Sequence, residues 1–139
     1  METSIDSLIL ATIVPEAKRL AFLPRHFERQ MMAFEQCLFA QMSHLSADYI
    51  GGYWDFYDLS NGGCYLAPSA PATYHIRVAG NSFDGNLSAD AAGITATLFA
   101  LNALSFRFPR LERFAERFYQ LRDFACEHAE RRLILAAID

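Results

Sequence analysis

The segment from Ser88 to Ser105 constrains the fold more than any other, because an almost wholly apolar helix has to be surrounded on most sides. Ser88 can cap its first turn with the hydroxyl, and Asp90 sits where the helix dipole favours a negative charge. Ala91, Ile94, Leu98, Leu101 and Leu104 then recur at spacings of three and four. Thr95, Thr97 and Asn102 interrupt the run well short of the roughly 18 apolar residues that would cross a bilayer. The segment therefore predicts a central helix packed against a sheet.

The sheet is read from the residues before it. In GGYWDFYDLSNGGCYLAP the aromatics crowd between Gly51-Gly52 and Asn61-Gly62-Gly63, and Asn-Gly tolerates the positive φ of a tight hairpin. Strands are predicted at Tyr53 to Leu59 and Gly63 to Ala67, ended by Pro68 and Pro71. A third follows at Thr73 to Val78, where Tyr74, Ile76 and Val78 alternate with Thr73, His75 and Arg77. Phe83 to Leu87 pairs back as a fourth strand or forms a bulged loop around Asp84-Gly85.

Helices flank this meander. Pro15 suits a first helical position, so a short helix is predicted from Pro15 to Leu23, stopped near Pro24. From His26 to Ala47 the stripe Phe27, Met31, Phe34, Leu38, Met42, Leu45 predicts a second. Pro109 opens a final helix, continuous or broken near His128, burying Leu111, Phe114, Phe118, Leu121 and Ala125. The class is α+β: a small antiparallel meander of three or four strands packed with N-terminal and C-terminal helices. Trp54 or Phe56 is expected to fill the space between sheet and helices.

The 139 residues have the length of one domain, so residues 1–139 are read as one. A 53% hydrophobic share with 14% aromatics supports a packed core, and a net charge of -4 names no partner. Cys37, Cys64 and Cys126 are odd in number and far apart, which predicts reduced, buried thiols. Glu2 and Asp6 precede the short apolar run Leu8 to Val14, unlike the basic start of a secretory signal, and a cytoplasmic location with no membrane partner is expected.

Candidate chemistry is sparse. His44 and Asp48 stand four apart, as two metal ligands could, but a zinc site needs three or four ligands, and His26, His75 and His128 form no second spaced pair. Cys64 with His75 two strands on is the one nucleophile and base arrangement that the element order allows, and a packed core thiol is the favoured reading. There is no nucleophile-elbow, phosphate-loop or dinucleotide glycine pattern. Neither an enzymatic activity nor a cofactor or metal is expected.

Two charge patterns remain. In FRFPRLERFAERFYQLR, Arg110, Arg113 and Arg117 share one helix line, with Arg131 beyond them, as a single-strand-binding surface would present. Glu112, Glu116, Asp123 and Glu127 lie beside them, which favours a solvated amphipathic helix and makes direct DNA binding unexpected. Over residues 48 to 90, Asp48, Asp55, Asp58, Asp84 and Asp90 face only Arg77, an acidic middle suited to a protein contact. Five aspartates are too few to imitate duplex DNA, which carries a charge every ~1.7 Å of axis.

The blocks ADYIGGYWDFYDLSNGGCYLAP and NLSADAAGITATLFALNAL, with RLAFLPRHF near the start and AAID at the end, resemble the ArdB/KlcA antirestriction family. The resemblance spans nearly the whole chain. It implies an α+β protein of plasmids and mobile elements that relieves restriction by type I systems without known catalysis or cofactor. The expected partner is a type I restriction-modification complex or an associated host factor. A plasmid maintenance or regulatory protein touching DNA or a host regulator is the alternative. Asp55 and Asp58 are the expected partner contacts in the acidic middle. Asp139 is a third if Ala136 to Asp139 packs on the domain, and an inert residue if that end is frayed.

Overall fold

A computed structural model describes residues 8–139. In chain order the elements are β1 (Ala11–Ile13), α1 (Arg19–Phe27), α2 (Met31–Leu45), β2 (Trp54–Leu59), β3 (Cys64–Pro68), β4 (Thr73–Val78), β5 (Phe83–Ser88), α3 (Ala89–Arg107), α4 (Glu112–Ala125) and α5 (Arg131–Ile138). The α+β class is as expected. The short apolar run near the start holds a strand that its sequence did not announce, because β1 has only three residues and both its faces are exposed.

The strands form two antiparallel sheets, ordered β1-β2-β3 and β4-β5, where one meander was expected. The reason lies at the outer edge of β3. Ser69 N–H bonds to Tyr53 O and Leu59 N–H to Gly63 O, so the alternate residues Leu66 and Pro68 turn their backbone away from β2. Pro68 has no N–H to offer there. The Thr97 hydroxyl of α3 meets Leu66, accepting from its N–H and donating to its carbonyl, each at a long 3.4 Å. A helix thus occupies the place where β4 would have paired.

This approach depends on Gly93. A Cβ there would lie 2.4 Å from the Ala67 Cα and 2.5 Å from the Leu66 carbonyl oxygen, distances that only glycine avoids. With Gly93 against β3, α3 lies between the sheets and α2, α4 and α5, and Ile94, Leu98, Leu101 and Leu104 are buried as their spacing predicts. Ser88 is its cap, accepting from Ala91 N–H at 3.0 Å.

The flanking helices depart from expectation at their ends. Pro15 precedes a 3-10 turn at Glu16–Lys18, and α1 runs through Pro24 to Phe27. One ladder bond is lost at Pro24, but Phe22, His26 and Phe27 continue the buried face across it. Glu28 then adopts φ 47°, so the break between the first two helices falls inside the segment His26 to Ala47 expected as one helix, and not at Pro24. Phe27 stacks on Phe34 at 4.0 Å and on Phe114 at 5.9 Å, tying α1, α2 and α4 together. Trp54 is the aromatic that fills the interior, against Phe39 and Tyr49, while Phe56 is half-buried beside Phe22.

Candidate functional site

Asp58 points from β2 to α1 and is held there. Arg25 donates to its two oxygens at 3.2 and 2.9 Å, and His26 Nε2 lies 2.7 Å from Oδ1. On its other side His26 Nδ1 accepts from Arg117 Nε at 3.1 Å. A guanidinium only donates, so Nδ1 is unprotonated and Nε2 carries the hydrogen given to Asp58. Burial lowers the His26 pKa, and this outweighs the support from Asp58. Burial would raise the Asp58 carboxyl, but the bonds from Arg25 and His26 hold it below its ordinary range. Cys64, sealed beneath this network, is pushed up to about 12 by burial, but of the three thiols expected to be buried Cys37 is half-buried and Cys126 exposed. His75, its only expected base, stands exposed in the other sheet.

Of the arginines expected on one solvated line, Arg110 is exposed before α4, but Arg113 and Arg117 turn toward α1. Arg113 pairs with Glu28 at 2.8 Å, and Arg117 reaches His26 and the Gln120 side chain. Their line along α4 faces α1, whose acid and imidazole were invisible from α4's own periodicity. Arg131 belongs to α5, after the break.

A second network joins Tyr65 of β3, Asp90 of α3 and His128 of the turn before α5. Tyr65 donates to Asp90 Oδ1 at 2.7 Å and His128 Nε2 to Oδ2 at 2.8 Å, while His128 Nδ1 accepts from Glu130 N–H at 2.9 Å. Glu130 also takes the N–H and hydroxyl of Ser88. Burial opposes the Asp90 charge, yet the bonds from His128 and Tyr65 lower its pKa. In both networks each imidazole nitrogen has a hydrogen-bond partner within the chain.

A groove of about 680 Å³ lies between the end of α2 and the β4-β5 hairpin. His44 and Asp48 line one wall, and His75, Arg77 and Asp84 the other. Asp48 Oδ2 accepts from the His75 backbone N–H at 2.9 Å, and the His75 ring contacts Asp84. The hairpin thus brings His75 and Asp84 to the pair that sequence spacing singled out. Among the described residues no three His, Cys, Asp or Glu side chains are set to hold a metal.

Beside the groove, residues 46–53 form a loop whose apex, Ile50, is 94% exposed, with Tyr53 at 59%. Gly51 and Gly52 turn it with φ of 93° and 122°, and a Cβ on either would meet nothing within 4 Å. Asp55 follows on β2, half-buried. Asp139 lies at the far end of α5, exposed, while the turn before it is docked: Asn81 Nδ2 donates to Ala136 O at 3.2 Å and Ala137 O at 2.9 Å. The end is packed, not frayed. The structure therefore separates the three expected contact residues: Asp58 in the partly exposed network with Arg25 and His26, Asp55 near the loop, Asp139 on α5.

The chain is thus an α+β domain in which His26 and His128 are tied into side-chain networks, while His44 and His75 face a solvent-open groove of mixed polar and apolar lining. The family described as antirestriction protein matches residues 47–139. The chain is 47% identical to an antirestriction protein KlcA of Escherichia coli over 99% of both chains. It is 35% identical to the uncharacterized protein YfjX of Escherichia coli strain K12, covering 92% of this chain and 86% of that one. Its backbone matches a solved structure with a TM-score of 0.90 at 44% identity, over 100% of both chains. That structure belongs to work on the KlcA and ArdB proteins, reported to show a novel fold and antirestriction activity against type I DNA restriction systems in vivo but not in vitro. The chain belongs to the antirestriction protein family.

Proposed function

We propose that this protein relieves type I restriction of incoming plasmid or mobile-element DNA by binding another protein. The observation that carries the reading is the full-length likeness, in sequence and backbone, to proteins with that activity. Activity in vivo but not in vitro, reported for the KlcA and ArdB proteins, favours a target that the cell supplies and purified restriction reactions lack. Docking, without catalysis, fits side chains whose reactive atoms are already bonded to one another. Weak net charge fits the absence of DNA mimicry.

The contact face in this reading is the loop at residues 46–53 with the adjoining groove and Asp55. Asp139 is a separate contact, and Asp58 positions β2 against α1. The test is plating: phage growth or plasmid establishment on a restricting and a non-restricting host, with and without the protein. A gain confined to the restricting host is expected, whereas an equal gain on both would overturn the reading.

A further inference from the structure

The loop at residues 46–53 is a projecting apolar residue held on rigid supports. Trp54, buried at its base, donates its indole N–H to the Tyr49 hydroxyl at 3.2 Å and meets that ring edge-on. On the other side Arg19 bonds the Trp54 carbonyl and lays its guanidinium over Tyr53 at 4.6 Å and Phe56 at 4.0 Å. Both ends of the loop are thereby tied to the interior, while Ile50 at the apex touches almost nothing. A large apolar side chain exposed this fully adds nothing to the core and is available to a partner.

The charges around it define what it fits. From Ser46 to Ser60 the chain has Asp48, Asp55 and Asp58 and no Lys or Arg. Asp58 is paired with Arg25, and Arg19, held on the Trp54 carbonyl and the two rings, keeps its single positive charge. Asp48 and Asp55 outnumber it two to one, Asp48 two residues before Ile50 with one oxygen on the His75 N–H, and Asp55 two residues after Tyr53. An apolar knob bracketed by carboxylates complements an apolar pocket rimmed by Lys or Arg. It repels a phosphate backbone, and a second copy docked through the same loop would oppose its own carboxylates.

We infer that Ile50, with Tyr53 beside it, is the anchor of the protein's contact with its target, and that it enters an apolar pocket with a basic rim on a partner protein. This rests on the protein-binding reading above. The test plates wild type, Ile50→Asp, Ile50→Val, Asp55→Lys and Phe106→Asp, the last altering a residue 78% exposed near the C-terminal end of α3. Ile50→Asp and Asp55→Lys should lower relief of restriction about tenfold or more, while Ile50→Val and Phe106→Asp keep it. Melting of each purified variant checks the fold, and Ile50→Ser repeats the test if Ile50→Asp does not accumulate. Wild-type relief retained by the Ile50 polar variants, or lost equally in Phe106→Asp, overturns the inference alone. Failure of wild type to protect selectively overturns the protein-binding reading and this inference with it. Concentration-dependent dimers of wild type that Ile50→Asp abolishes, seen by sedimentation, would give the knob to a second copy and also overturn it.

Discussion

Arg117 Nε–H donates to His26 Nδ1 at 3.1 Å, and this single bond fixes which nitrogen of the ring faces Asp58. Protonating His26 would place a second hydrogen between two donors, in a ring only 3% exposed.

The pH dependence follows in sign. His26 has an ordinary value of 6.5 and is lowered in the folded chain, chiefly by burial, so the unfolded chain binds the proton first. Its contribution is complete above about pH 6.5 and is lost as pH falls toward the lowered value. Melting temperature should therefore fall from pH 7 to pH 5, and His26→Gln, though less stable at pH 7, should show a flatter slope over that range. An unchanged slope would remove His26 from the account.

Asp58→Asn should destabilise the fold, contrary to what its place in an acidic, outward-looking segment implies. It removes a charge that Arg25 and His26 both use. With a third of the side chain exposed, the loss is about 1 kcal/mol. Urea unfolding measures it. Wild-type stability with lost protection would return Asp58 to the contact face.

Gly93→Ala sets helix propensity against space. Alanine is favoured by ~1 kcal/mol within a helix, but the new methyl would sit 2.4 Å from the backbone of Ala67. Backbone yields less than a flexible side chain, so a net loss of about 2 kcal/mol or more is expected, with α3 pushed off β3. Unfolding in urea together with near-ultraviolet dichroism would show both.

Two changes at the C-terminus have different consequences. Deleting Ala136 to Asp139 removes the acceptors of Asn81 and the buried Ala137, and should lower the melting temperature measurably. Asp139→Asn alters an exposed charge at a helix end, where the dipole disfavours it, and should leave stability equal or slightly higher. Reduced protection by that folded variant would make Asp139 a contact, and full protection would dismiss it.

Much of this architecture is written in local patterns. The three-four spacing of Ile94, Leu98, Leu101 and Leu104, the Ser88 cap, the alternation from Thr73 to Val78 and the Asn61-Gly62 turn each concern residues a few positions apart, where backbone geometry alone sets who faces whom. The resemblance carried by the two long blocks likewise needed no coordinates. Tertiary structure decided whatever depends on distant partners. Asp58 reads as an exposed acid until α1 brings Arg25 and His26 to it from 33 and 32 positions away, and Arg117 reads as solvated until His26 arrives from 91. The division into two sheets turned on Thr97 and Gly93 meeting the edge of β3, and neither residue departs from an ordinary helical pattern. Periodicity shows which face of an element is buried, but a charged group's environment depends on packing between elements remote in sequence.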